Sequence, residues 1–164
     1  MKPLNSIVLA AEFSGIRKMF NLALGVKDAV KFTVGEPDFS AAPRIVEAAN
    51  KCTSSGNTKY TPNAGILELR EMIAKDLTKN HVQYDPEKEI IITVGGMEAL
   101  YSVFTVLSNP GDEVIVTDPY WTNHPTQVHL TGAIPRMVTV KEENGFVYDP
   151  ADVEKAINSK TKAI

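Results

Sequence analysis

Apolar residues recur along this chain first in a helical rhythm and then, from about residue 86, in short extended runs alternating with helical ones. Ser14 precedes an apolar stripe of Ile16, Met19, Phe20 and Ala23, whose spacing predicts a helix capped by Ser14, running to about residue 24 and ended by Gly25. A short strand is expected over 30–34. It is closed by Gly35-Glu36-Pro37-Asp38, a loop that Pro37 keeps from becoming helix. Pro43, which needs no N–H partner in a first turn, opens a helix to about residue 53 with Ile45, Val46, Ala48 and Ala49 inward. Residues 54–65 are rich in Ser, Gly, Asn, Thr and Pro and read as loop. Residues 66–80 give the best amphipathic helix, with Leu67, Leu69, Ile73, Ala74 and Leu77 inward and charged residues outward.

The second part predicts strand 89–94, helix 97–107 (Leu100, Val103, Phe104 and Leu107 on one face) and a turn at Pro110-Gly111-Asp112. Strand 113–117, helix 124–130, Gly132, strand 134–140 and helix 149–157 follow, and residues 160–164 look like a further strand beginning. Strands joined by helical crossovers imply an α/β fold: three layers, a mostly parallel sheet with helices on both faces. Ligands of such sheets bind beyond the carboxyl ends of the strands. A parallel sheet that stopped inside a strand would leave unpaired backbone and an uncovered apolar face. The 164 residues are therefore expected to be the N-terminal part of a longer polypeptide.

Composition narrows the function. A hydrophobic content of 43% is that of an ordinary globular protein, and a net charge of −3 with mixed signs offers no basic stripe for nucleic acid. The single cysteine, Cys52, excludes an internal disulfide and fits a reducing, cytoplasmic setting as a small semi-buried helix residue. The apolar stretch 7–11 is too short for a signal peptide, and no run approaches the roughly 20 apolar residues of a membrane span. No metal site is expected: His124 and His129 are five apart and lack a Cys or acidic cluster, and His81 reads as solvated. The run Lys141-Glu142-Glu143-Asn144-Gly145 reads as a solvent-facing turn, and neither a nucleophile elbow nor a P-loop occurs.

Two segments at the carboxyl end of the expected sheet carry candidate chemistry. Thr93-Val94-Gly95-Gly96-Met97 ends a β-branched run in two glycines and starts a helix, whose free N–H groups and positive dipole end suit an anion. Asp118-Pro119-Tyr120-Trp121 brings aromatic surface to the same edge, and the pair suits a phosphorylated ring. Simpler readings stand beside these: a tight turn at Gly95-Gly96, a core role for Trp121, a turn glycine at Gly35 and a surface tyrosine at Tyr60. A dinucleotide-binding turn is disfavoured, because the G-x-G-x-x-G spacing is absent.

The ordered set Gly35-Glu36-Pro37-Asp38-Phe39, Tyr60-Thr61-Pro62-x-x-Gly65, Leu69-Arg70, Thr93-Val94-Gly95-Gly96, Pro110-Gly111-Asp112-Glu113-Val114 and Asp118-Pro119-Tyr120-Trp121 closely resembles the class I aminotransferases. These are pyridoxal-phosphate (PLP) enzymes of fold type I, and the resemblance runs from about residue 14 to residue 164. It implies residues 1–42 as an N-terminal segment with part of a small domain, and 43–164 as the first half of a large PLP-binding domain. It implies that Gly95, Gly96 and Met97 offer N–H groups to the cofactor phosphate and that Trp121 stacks on its ring. Tyr60 would reach the phosphate of a partner subunit in a homodimer. Gly35 would meet the substrate carboxylate through its N–H, and Ile16 would belong to a segment closing over substrate. The implied substrates are an amino acid and a 2-oxo acid. The Schiff-base lysine, the acid beside the ring nitrogen and an arginine for the α-carboxylate are expected beyond Ile164, so the 164 residues alone are expected to be inactive. Alternatives are a same-fold C–S lyase or synthase, or a non-catalytic binding module that keeps the cradle without the lysine.

Overall fold

The computed structural model of the chain describes residues 2–11, 14–32, 35 and 37–164. The chain divides into two compact units, residues 1–35 with 97–164, and residues 36–96.

The first unit is built on three parallel strands, β1 (Glu113–Asp118), β2 (Ile134–Thr139) and β3 (Thr161–Ala163), in the order β2-β1-β3. Glu113 pairs with Ile134 and the register holds through Asp118 with Thr139; on the other side Glu113 pairs with Thr161. Alternation along the middle strand sends successive side chains to opposite faces. Val114 and Val116 pack with Ala133, Val128 of α6 (Asn123–Leu130) and Phe104 of α5 (Gly95–Leu107). Ile115 packs with Val138, Tyr148, and Val153 and Ala156 of α7 (Pro150–Ala156). The Val-Ile-Val run is thus buried on both faces, as in a parallel sheet covered by helices on each side. Val114, Ile115 and Val128 are fully buried, and each contributes about 1.5–3 kcal/mol by leaving water. Burial beside the same core pushes the Tyr148 phenol above its usual range.

Local chemistry sets the element ends. The Ser14 hydroxyl accepts the Arg17 N–H at 3.4 Å at the start of α2 (Gly15–Ala23). Asp149 accepts the Ala151 N–H at 2.9 Å ahead of α7, where Pro150 takes the first position. A short helix the sequence pattern did not announce, α1 (Ser6–Ala10), is capped by the Asn5 side chain. Before β1 the Asp112 carboxylate accepts the Asn109 N–H at 2.8 Å, which holds its pKa below the ordinary carboxylate value.

The second unit holds α3 (Pro43–Ser54) and α4 (Leu67–Leu77), the latter continued by a short turn of 3₁₀ helix to Asn80. Helix α3 has the predicted bounds but not the predicted inward face: Ile45, Val46, Ala48 and Ala49 are exposed. Residues 89–94 do not form the expected strand. Ile90 is buried while Ile91 is 71% exposed, and the Ile92 N–H bonds to the loop carbonyl of Ala64 at 3.0 Å rather than to a ladder. A β-branched run becomes a strand only when a neighbouring strand supplies paired backbone. In the first unit the described residues of the strand expected over 30–34 are likewise not in a strand. Val30, Lys31 and Phe32 are irregular, with Val30 and Phe32 exposed, while Thr33 and Val34, and Glu36 of the following loop, lie outside the described residues.

Candidate active site

Strand β1 delivers its carboxyl end, through a cis Asp118–Pro119 peptide bond, to Tyr120 and Trp121. Trp121 is 44% exposed, too open for a core tryptophan. Its ring meets that of His124 nearly at right angles, at 81° with centroids 5.3 Å apart, so the imidazole braces the indole. The next residue, Thr122, shares a hydrogen bond of 3.0 Å with Ser14 across 108 residues of sequence, hydroxyl to hydroxyl. That bond ties the start of α2 to the start of α6. A cleft of about 350 Å³ opens there, lined by Ile16, Gly35 and Trp121 together with Ser14, Arg17, Thr122 and Asn123. Three residues singled out from separate stretches of sequence therefore share one cavity.

Helix α6 also fixes Met97. The Gln127 amide donates to the Met97 carbonyl at 2.7 Å, and the Asn123 amide lies 3.3 Å from the Met97 sulfur. Gln127 is buried, and its Oε1 has no partner among the described residues. Sequence reasoning gave Gln127 no role, because a lone polar side chain on a short helix reads as solvent-facing. His124 was set aside as a metal ligand, and its contact with Trp121 is visible only once the helix turn brings residues three apart together. Among the described residues no group of three or more His, Cys, Asp or Glu is placed to hold a metal ion, and no helix is long and apolar enough to cross a membrane.

At the start of α5, Gly95 adopts φ +72°, a left-handed conformation that favours glycine, and its N–H donates to the Thr93 carbonyl at 2.9 Å. The Thr93 hydroxyl returns a bond to the Gly95 carbonyl at 3.0 Å and closes the turn. Of the three expected donors, Gly95 is therefore engaged within the turn. Gly96 and Met97 stand in the first helical turn, where N–H groups have no intrahelical acceptor. A Cβ added at Gly96 would meet nothing within 4 Å. The helix start is open to an anion, with two donors and the dipole facing it.

In the second unit Tyr60 is fully exposed and has no hydrogen-bond partner among the described residues. The loop that follows is closely packed at Gly65. Gly65 has φ +90°, and a Cβ there would come within 2.7 Å of the Ile92 side chain. Arg70, 7% exposed, donates from Nε to the Gly65 carbonyl at 3.2 Å and from one guanidinium nitrogen to the carbonyls of Pro86 and Glu87. The sequence pattern placed the charges of α4 outward; Arg70 is the exception, a buried cation satisfied by three backbone carbonyls. All lysines among the described residues are exposed.

Comparison with known proteins shows the family and the fold. The profile of aminotransferase class I and II matches residues 27–164. The chain is 42% identical over its whole length to a probable aspartate/prephenate aminotransferase of Thermus aquaticus, and covers 41% of that protein. It is 38% identical to the aspartate aminotransferase of Geobacillus stearothermophilus over 99% of the chain and 42% of the relative. The solved aspartate aminotransferase of Thermus thermophilus with maleate superposes with a TM-score of 0.91 at 40% identity, over 98% of this chain and 43% of that one. The chain thus spans about two fifths of the length of the relatives it matches. With the family profile matched over most of its residues and the fold shared at this level of identity, the chain belongs to the class I and II aminotransferases.

Proposed function

We propose that these residues form the phosphate cradle, ring-stacking surface and part of the substrate lid of a PLP-dependent aminotransferase. It would exchange an amino group between an amino acid and a 2-oxo acid in the cytoplasm. The observation that carries the proposal is the meeting of Ile16, Gly35 and Trp121 in one cleft of the unit that also holds Met97. The residues present fit the cofactor: Gly96 and Met97 have N–H groups open to a phosphate, and Trp121 is exposed enough to cover a flat ring. PLP supplies an aldehyde for the substrate amine and a ring that withdraws electrons. Gly96 and Met97 would hold the phosphate by backbone donation, and the turn at Gly95 keeps that helix start in shape. Trp121, braced by His124, would offer its exposed face to the ring and exclude water there. Gly35 offers a backbone N–H to the substrate carboxylate, and Ile16 covers the apolar part of the substrate. The names of the relatives point to an acidic amino acid as donor. Residues 1–42 would serve the small domain and 43–164 the large one.

We further propose a homodimer with shared sites, because Tyr60 is fully exposed and without a partner among the described residues. In the complete polypeptide Trp121→Ala should weaken PLP retention about tenfold, the scale of ring stacking beyond burial, with little change in melting temperature. A core tryptophan would instead cost about 3–5 kcal/mol of stability and leave PLP affinity alone. Mixing subunits of Trp121→Ala with subunits of Tyr60→Phe tests both assignments. If Tyr60 serves the neighbour, a hybrid dimer has one site with both lesions and one intact site, and activity returns. Absence of any recovery would place Tyr60 in its own subunit's site.

A further inference from the structure

Gln127 lies in the middle of α6 and is only 5% exposed, at a position where an apolar side chain would pack as well. Its amide is used at one end. Nε2 donates to the Met97 carbonyl at 2.7 Å and lies 3.9 Å from the Met97 sulfur, while Oε1 is buried without a partner among the described residues. A buried amide that leaves its acceptor unpaired costs stability, so packing alone does not account for a glutamine here. One turn earlier, the Asn123 amide reaches the same sulfur at 3.3 Å. Positions 123 and 127 are four apart and share one face of the helix, and both converge on Met97.

The same helix holds Trp121. It starts two residues after the indole, and its His124 ring sets an edge against it at 81°. Helix α6 therefore grips both the aromatic face and the first turn of α5, where Met97 presents its N–H. That turn has no preceding helical turn to hold it, so its orientation depends on outside contacts. The Met97 carbonyl and N–H flank one α carbon, and a hydrogen bond fixing the first limits how far the second can swing. Given the phosphate cradle proposed above, on which this reading rests, we infer that Gln127 is a positioning residue. It sets the Met97 N–H at a fixed separation from the Trp121 face, and so matches the site to a flat ring that carries its phosphate at that distance. A ring without the phosphate gains nothing from this arrangement, so the effect of Gln127 lies in the difference between the two ligands.

The test uses the complete polypeptide, freed of cofactor, as wild type, Gln127→Met and Gln127→Asn. Each is titrated with PLP and with pyridoxal, which lacks the phosphate. Gln127→Met fills a similar space without a donor. It should weaken PLP binding by about 3–10-fold, the effect of one buried hydrogen bond, while pyridoxal affinity changes less than about twofold. Its melting temperature should hold, since the unpaired Oε1 leaves with the amide. Gln127→Asn keeps an amide but stops one methylene short of the carbonyl, and should show the same selective loss; it carries the comparison if Gln127→Met does not fold. Equal losses for PLP and pyridoxal mark a general packing role and overturn the inference, as does unchanged PLP affinity. A wild type that binds PLP no tighter than pyridoxal removes the phosphate cradle, and the role of Gln127 with it. A wild type that prefers PLP, with variants that keep the whole preference, removes the role of Gln127 alone.

Discussion

Arg70→Met is expected to destabilise the second unit of the complete polypeptide by about 2–4 kcal/mol, the cost of removing a charged donor from buried acceptors. Methionine matches the apolar stem of arginine and donates nothing, so the carbonyls of Gly65, Pro86 and Glu87 would lose their common partner. These carbonyls belong to the turn after Tyr60 and to the segment that leads to Ile90. Removing the guanidinium should therefore loosen both at once. Arg70→Lys should restore little, since one ammonium on a flexible stem cannot span three carbonyls set by a planar fork. Urea unfolding and hydrogen exchange at the Ile92 amide, which bonds to Ala64 in the same turn, measure the effect. An unchanged unfolding midpoint together with an equally protected Ile92 amide would show that Arg70 does not hold this unit together.

Gly96→Asp should separate stability from cofactor binding more sharply than a truncation can. A Cβ at Gly96 enters open space and its backbone is outside the left-handed region, so the substitution fits. An aspartate in the first turn of α5 complements the helix dipole by about 0.3–1 kcal/mol, which offsets much of what glycine replacement changes elsewhere. The same carboxylate, however, occupies the place proposed for the phosphate and repels it. Like charges in one site cost several kcal/mol, so PLP affinity should fall at least about 100-fold while the melting temperature holds or rises. Retained PLP affinity would move the phosphate away from this helix start.

Much of the first unit was legible in the sequence because its elements are specified locally. The Ser14 cap, the helix expected over 149–157 and the Val114-Ile115-Val116 run each follow from short stretches of chain. Failures came where structure depends on distant partners. Residues 89–94 have strand composition but bond to a loop, and Ile45 and Val46 form a stripe that nothing among the described residues buries. The site followed the same division. The candidate residues Gly95, Gly96 and Trp121 are picked out by residue type and position alone. Arg70, Gln127 and His124 are not, because their roles depend on which carbonyl or ring the fold sets opposite them. Even within the Gly95-Gly96-Met97 run, spacing did not reveal that the Gly95 N–H closes its own turn.

On the proposed function, these residues belong to an enzyme that takes an amino group from one molecule and gives it to another. A single-turnover experiment on the complete PLP-loaded polypeptide tests it most directly. Aspartate is added without any 2-oxo acid acceptor, the keto acid released is counted per subunit, and a different 2-oxo acid is then supplied. One equivalent of keto acid in the first stage, with no free ammonia, followed by one equivalent of the new amino acid in the second, is the predicted result. Continuous release of ammonia or of a thiol from a sulfur-bearing amino acid would instead mark a lyase, and no reaction with any amino acid would mark a binding module; either result would rule out an aminotransferase.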